Sequence, residues 1–386
     1  MSATPDAHGL PDDSRSLPVL RALIDAVDHD ILQLLSRRNG LVAEIAAYKR
    51  SHRVAIRDPR REREIIADRR SRSTGLGLQP DVIESIYRLV LWASRDRQAQ
   101  LRAQVPLDIE PRTVAVIGGR GAMGAAVANL FADIGHAVMI ADLDTPLTPE
   151  EAARTSDVVV VSVPIDVTVE VIRKLGPLVR EDALLVDVTS VKTAPMRAML
   201  ESSKASVAGT HPLFGPSVHS LQGQRVALVP GRGDEWRQWL TGVFEARGLN
   251  VVETTADAHD EAMAVVQVLT HFATEVMGST MAGLGVPLEE TLRFTSPVYL
   301  MELIMTARHF AQSPDLYASI QMSNPQAGRI TEEFVRTAER LRGNVTRGDH
   351  AAVEKMFDEV HRFFGDFTDH ALEQSSFLID RLVERT

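Results

Sequence analysis

Apolar positions recur with two different periods along the chain, and the changes of period divide it into three parts. Over residues 19–50 they step by threes and fours, one seam passing through Ile24, Ile31, Leu35, Val42 and Ile45, with no proline inside. That spacing predicts one helix of about thirty residues, a rod of roughly 45 Å, too long to bury its seam alone. It needs partner helices, expected from a second subunit. A helix to about residue 72, a Gly-Leu-Gly loop and a helix over 80–102 follow, and Pro106 and Pro111 mark a polar linker over 103–111.

From residue 114 the period changes. Short β-branched runs at 114–117, 137–141, 157–164, 183–187 and 207–209 alternate with helical stretches expected at 125–134, 148–155, 168–175 and 195–203. This βαβα order predicts a doubly wound parallel sheet, apolar on both faces, with its working residues past the carboxyl ends of the strands. Runs at 226–229 and 251–252 read as the last strands, around a helix over 234–247. Beyond residue 255 the pattern is helical almost throughout: 257–283, 288–310, 314–322, 326–347 and 349–385. Met301, Met305, Phe363 and Phe364 read there as core. The fold class is therefore multidomain. A polar leader (1–16), read as disordered, precedes an all-α domain (17–102); a Rossmann-like α/β domain (112–255) and an all-α C-terminal dimerisation domain (256–386) follow the linker.

Composition narrows the function. A net charge of −10 gives no broad positive field for a polyanion, so neither nucleic acid nor, without a long apolar run, a membrane is an expected partner. The absence of cysteine removes disulfides, thiolate metal sites and Cys nucleophiles and suits the cytoplasm; no metal is expected. Any anionic substrate must be met by local Arg and Lys.

Two stretches carry candidate chemistry. The first, 114–124, ends in Gly118-Gly119-Arg120-Gly121-Ala122-Met123-Gly124. Gly119, Gly121 and Gly124 fit G-x-G-x-x-G: the first glycine for the tight turn, the second for approach to a pyrophosphate, the third for helix–strand packing. Asp142 follows Gly121 at the distance where a carboxylate meets the adenosine ribose, and it would repel a 2′-phosphate, so NAD is expected over NADP. Ser162 and Pro164 close the third strand at the same edge. The second stretch is the long helix, where Arg21, Arg38 and Lys49 interrupt the apolar seam. Spacing leaves two readings open: a cationic pocket for a small polyanion, or side chains that snorkel or pair with Asp25, Asp28 or Glu44.

Residues 19–98 resemble the all-helical chorismate mutase domain. By that resemblance Arg21, Arg38, Lys49, Asp58, Arg61, Glu62, Ser94 and Gln98 fall on substrate-binding positions. The resemblance implies that the arginines clamp the carboxylates, with Arg21 supplied by a partner chain. It also implies that Lys49 and Gln98 donate to the ether oxygen while Asp58, Glu62 and Ser94 orient the hydroxyl. From about Arg112 onward the loops Thr189-Ser190-Val191-Lys192 and Thr210-His211-Pro212-Leu213-Phe214-Gly215-Pro216 resemble prephenate dehydrogenase. The chain as a whole is similar to the bifunctional chorismate mutase/prephenate dehydrogenases. His211 is then the proton acceptor, Ser190 the serine that holds it and the substrate hydroxyl, and Lys192 a lysine of the same loop. The implied reactions are chorismate to prephenate, then NAD-dependent oxidative decarboxylation to 4-hydroxyphenylpyruvate, in a homodimer that tyrosine could inhibit. An amino-substituted prephenate analogue, or a dehydrogenase half reduced to a regulatory module, are the alternatives. Three positions depart from the family pattern: Leu300 and Thr270 stand where arginines are usual, and Ser217 where an acid often follows. Arg293 or Arg308 could supply the missing carboxylate clamp.

Overall fold

The structure, a computed structural model, describes residues 15–52, 58–103, 110–218 and 220–383. The expected leader and linker lie almost wholly outside these residues. The first helix, α1 (Leu17–Ser51), is about 50 Å long at 1.5 Å per residue. Helices α2 (Pro59–Thr74) and α3 (Pro80–Ala103) pack against each other, and α3 against α1. α2 starts at Asp58, whose carboxylate accepts from the Arg61 N–H at 3.0 Å, with Pro59 in the first turn, where a missing N–H costs nothing. Only the end of α1 near α3 is covered. Val42 is 4% exposed, whereas Ile24 is 60% exposed on the same seam.

Seven strands form one sheet: β1 (Thr113–Ile117), β2 (Ala137–Ala141), β3 (Val158–Val161), β4 (Leu184–Asp187), β5 (Ser206–Pro212), β6 (Arg225–Arg232) and β7 (Asn250–Glu253). Their order is β2-β1-β3-β4-β5-β6-β7. The first five are parallel, as the alternation of strands and helices demands, while β6 runs antiparallel to β5 and β7 parallel to β6. A parallel return needs a crossover, usually helical. The chain between β5 and β6 carries no helix among its described residues, so it folds straight back.

Helices α4 (Ala122–Ala132), α5 (Pro149–Thr155), α6 (Ile165–Leu175), α7 (Thr193–Ser202) and α8 (Asp234–Ala246) cover the sheet. Val114, Val116, Val158 and Val160 meet Phe131 and Leu240 on one face; Ala115, Ile117, Val159 and Val161 meet Ile172 and Met199 on the other. Burial on both faces is why these strands read as unbroken apolar runs. α4 begins three residues before the expected start, because Gly121 takes an extended ψ of 155° and becomes its N-cap. The chain leaves β1 toward β2 on one side and returns for β3 on the other, which puts the switch point between the carboxyl ends of β1 and β3.

In the C-terminal part, α9 (Ala256–Met263) continues through a π-helical stretch, Ala264–Leu269, into α10 (Thr270–Gly283). Two helices expected to be continuous are broken. The 288–310 stretch divides into α11 (Leu288–Arg293) and α12 (Pro297–Phe310), because Ser296 caps the Tyr299 N–H and Pro297 begins a new first turn. After α13 (Pro314–Ser323) and α14 (Ala327–Arg347), the 349–385 stretch divides into α15 (His350–Phe364) and α16 (Phe367–Val383) at Gly365, whose φ is +51°. Met305, Phe363 and Phe364, expected in the core, are instead exposed, Phe363 by 83%. The helices of one chain do not wrap these faces.

Candidate active sites

A cleft of about 640 Å³ opens at the switch point. Its walls are Gly121 to Gly124, then Ser162 to Ile165, then Thr189 and Ser190, then His211 and Pro212 at the end of β5. The helical part closes it with Gln267, His271, Arg308, Gln312 and Tyr317. Gln267 comes from the π-helical stretch, a local widening that is frequent at functional sites.

The glycine loop differs in one respect from its expected roles. The tight turn is made by Gly118, with φ +78°, and not by Gly119; a Cβ on Gly118 would also collide with the Ser162 carbonyl. Gly119 is held by contact instead, since its Cβ would meet Ile140. Gly124 packs against the turn as expected, its Cβ blocked by the Gly118 carbonyl. Gly121 caps α4 without a side-chain bond, so the first-turn N–H groups are left for an anion. That donor set fits a pyrophosphate, which Cβ atoms on Gly118 and Gly124 would prevent by spreading the turn. At the end of β2, the Asp142 carboxylate accepts from the Arg120 N–H at 3.0 Å, and the Arg120 guanidinium pairs with Asp144. Pro164 stops β3, caps α6 and lines the cleft beside Ser162.

His211 is buried, and its Nδ1 lies 3.0 Å from Nε2 of His259, whose own Nδ1 lies 2.9 Å from the Asp260 carboxylate. Burial, then the Lys192 charge and His259, lower the His211 pKa well below the ordinary histidine value, against the pull of Asp260. Burial pushes the Asp260 carboxyl up, but bonds from His259, Thr193 and Lys192 outweigh it and hold the pKa below the usual carboxylate value. Ser190 faces the same cleft. Lys192 does not: its side chain is fully buried behind the loop, paired with Asp187 and 3.3 Å from Thr189 Oγ1. The buried Asp187 carboxylate at the end of β4 requires a counter-charge, and Lys192 supplies it. His259 and Asp260 were not legible in the sequence. They sit in the first helix after the sheet, 48 and 49 residues beyond His211, and only packing brings them together.

In the helical domain, Arg38 donates to the Ser94 hydroxyl, and Gln98 Nε2 donates to the Ser94 carbonyl at 3.2 Å. The Gln98 Oε1 is buried without a hydrogen-bond partner. Burial lowers the pKa of both Arg38 and Lys49; the carboxylates of Asp58 and Glu62 oppose it at Lys49. Glu62 is ion-paired with Arg95 at 2.6 Å, a neighbour the sequence reading missed. Two expected members stand apart. Arg61 is exposed and paired with Glu64 at 3.4 Å. Arg21 is exposed on α1, about 25 Å along the rod from Arg38 at 1.5 Å per residue. Asp58 has a structural duty as the cap of α2 as well as its place near Lys49.

Comparison with known proteins agrees with this division. Residues 20–99 match the chorismate mutase type II family, 133–253 the nucleotide-binding domain of prephenate dehydrogenase, and 255–359 its dimerization domain. The chain is 36% identical over 363 residues to a T-protein of Enterobacter agglomerans, covering 94% of this chain and 97% of that one. It is 31% identical over 366 residues to a T-protein of Haemophilus influenzae, covering 95% and 97%. The prephenate dehydrogenase of Aquifex aeolicus, solved in complex with hydroxyphenyl propionate and NAD+, superposes with a TM-score of 0.54 at 20% identity, over 67% of this chain and 99% of that one. With both halves matched and near-complete coverage of its relatives, the chain belongs to the T-protein family, the bifunctional chorismate mutase/prephenate dehydrogenases of tyrosine biosynthesis.

Proposed function

We propose that the two reactions are carried by two separate residue groups, in a cytoplasmic homodimer that uses NAD. In the helical domain, Arg38 and a partner-supplied Arg21 bind the chorismate carboxylates. Lys49 and the second amide hydrogen of Gln98 meet the ether oxygen as charge develops there. Asp58, Glu62 and Ser94 orient the ring, and Arg61 joins the clamp once substrate offers a better partner than Glu64. This step is pericyclic and moves no proton, so positioning and charge are all the side chains provide.

In the cleft, Gly121 to Gly124 with the start of α4 hold the pyrophosphate, Ser162 and Pro164 flank the nicotinamide, and Asp142 receives the ribose hydroxyls. The ion pair between Arg120 and Asp144 supports NAD over NADP, because the Arg120 guanidinium is already engaged by a carboxylate. NAD+, when bound, supplies the hydride acceptor. Ser190 and His211 hold the C4 hydroxyl of prephenate, and His211 takes its proton as the carbon loses hydride and the ring loses CO₂. A histidine kept neutral by burial is ready to accept a proton at neutral pH. Arg308, on the cleft wall two turns beyond Leu300 on α12, serves as the carboxylate clamp; Arg293, ion-paired with Glu290 at 3.2 Å, does not. His271, with a buried unpartnered Nδ1, is a further polar contact for substrate or for tyrosine as inhibitor. The exposed apolar faces of α1 and of the C-terminal helices support the dimer.

The observation that carries this reading is that one cleft joins the glycine loop, Ser190 and His211. Its test supplies chorismate and NAD+ to the purified chain and follows chorismate loss and NADH separately. His211→Asn removes NADH formation and spares mutase turnover; Lys49→Ala removes mutase turnover and spares NADH formation from added prephenate. Loss of both activities in either folded variant overturns the assignment to two sites.

A further inference from the structure

We propose that His259 and Asp260 are positioning residues that lock His211 into the one tautomer able to take the substrate proton. The inference deepens the reading of His211 as the base and rests on it.

Each contact from Asp260 to His211 fixes the donor and acceptor roles of the next. An ionised carboxylate only accepts, so the 2.9 Å contact to Asp260 Oδ1 requires a hydrogen on His259 Nδ1. In a neutral ring the other nitrogen then only accepts. His259 Nε2 therefore takes the hydrogen of His211 Nδ1 across 3.0 Å. That leaves His211 Nε2 as a bare lone pair, and His211 lines the cleft. Reversing any one role would leave two donors or two acceptors facing each other in a buried site.

The far end of the relay is itself fixed from two directions. Asp260 accepts the Lys192 N–H at 2.7 Å and the Thr193 N–H at 2.9 Å, at the start of α7. The buried Asn324 amide donates to the Asp260 carbonyl at 2.9 Å, from the end of α13. The groups acting on His211 are thus Lys192, paired with Asp187, from the loop after β4, and His259 and Asp260 from α9. As the proton arrives, the imidazolium keeps its Nδ1 bond to His259, with the Asp260 charge beyond it. The helical part of the chain, and not the Rossmann part that carries His211, thereby prepares the base.

The test uses the full chain with saturating NAD+ and measures kcat and KM for prephenate across pH. His259→Phe keeps a ring against His211 but removes both nitrogens. It lowers kcat at least about tenfold, a share of the ~10²–10⁴ that a general base contributes, and leaves KM within about twofold, because tautomer choice acts on the chemical step. Asp260→Asn removes the charge that favours imidazolium, so it lowers the His211 pKa, moves the acid limb of the kcat profile to lower pH and lowers the plateau. Mutase turnover and KM for NAD+ report whether the halves are folded. If His259→Phe disturbs either, the pH profile of Asp260→Asn decides. An unchanged kcat in His259→Phe, a change in KM alone, or an unmoved acid limb in Asp260→Asn overturns the relay. If His211→Asn abolishes NADH formation while His259→Phe keeps the parental kcat and Asp260→Asn an unmoved acid limb, only the relay fails. If His211→Asn keeps full activity, the reading beneath it fails.

Discussion

Replacing Lys192 by methionine isolates what a buried charge does in this site. Lys192 and Asp187 are both 0% exposed and paired, and removing one partner of such a pair costs about 3–5 kcal/mol because the other charge stays buried. The structure places the loss near the lower figure: Asp187 keeps the Thr189 N–H at 3.1 Å and the Thr189 hydroxyl at 2.5 Å, although its Oδ1 has no partner. A loss of about 3 kcal/mol corresponds to a fall in Tm of about 6–12 °C for a unit of this size. Asp187→Asn combined with Lys192→Met recovers part of it, since the stranded charge is gone. A second readout is independent of stability. The Lys192 cation disfavours protonation of His211. Without it the His211 pKa rises, and the acid limb of NADH formation moves to higher pH. Calorimetry and a pH–rate series on the single and double variants measure both effects. A single variant within about 1 kcal/mol of the parent, well under the cost of an unpaired buried charge, with an unmoved acid limb, would refute the reasoning.

Further outcomes follow from the same geometry. Asp142→Ser lowers kcat/KM for NAD+ by about tenfold or more, the loss of one charge-assisted hydrogen bond of ~1.5–3 kcal/mol, and raises that for NADP+; an unchanged ratio between the two cofactors refutes the role of the carboxylate. Arg308→Ala raises KM for prephenate by about thirtyfold or more, for a clamp worth ~2–5 kcal/mol, and leaves KM for NAD+ alone; titration with prephenate decides, and a normal KM returns the clamp to another residue. Gly118→Ala forces a side chain into a positive φ at about 1–3 kcal/mol and drives a methyl into the Ser162 carbonyl, so NAD+ binding and the Tm of the dehydrogenase half fall while mutase turnover persists. A variant with parental Tm and KM would mean that the turn tolerates a side chain.

How much of this was written in the sequence depends on the range of the forces involved. The three-part division and the parallel pairing of the first five strands were legible because they follow from local period and β-branched runs. Glycine spacing could not tell which of Gly118 and Gly119 takes the left-handed turn, nor that a side chain at Gly118 would meet the carbonyl of Ser162, 44 residues away. Helix breaks at Ser296 and Gly365 were missed because the apolar period runs on through them while capping and φ do not. The sequence by itself determined the chemistry on offer: an imidazole at a strand end, cations on an apolar seam, and an acid after the second strand. Tertiary structure alone decided which groups meet. It turned Lys192 inward to neutralise Asp187, brought Arg308 to the cleft, and set His259 and Asp260 behind His211. The physical reason is that burial and pairing energies act through contacts between residues distant in the chain, and periodicity carries no information about those contacts.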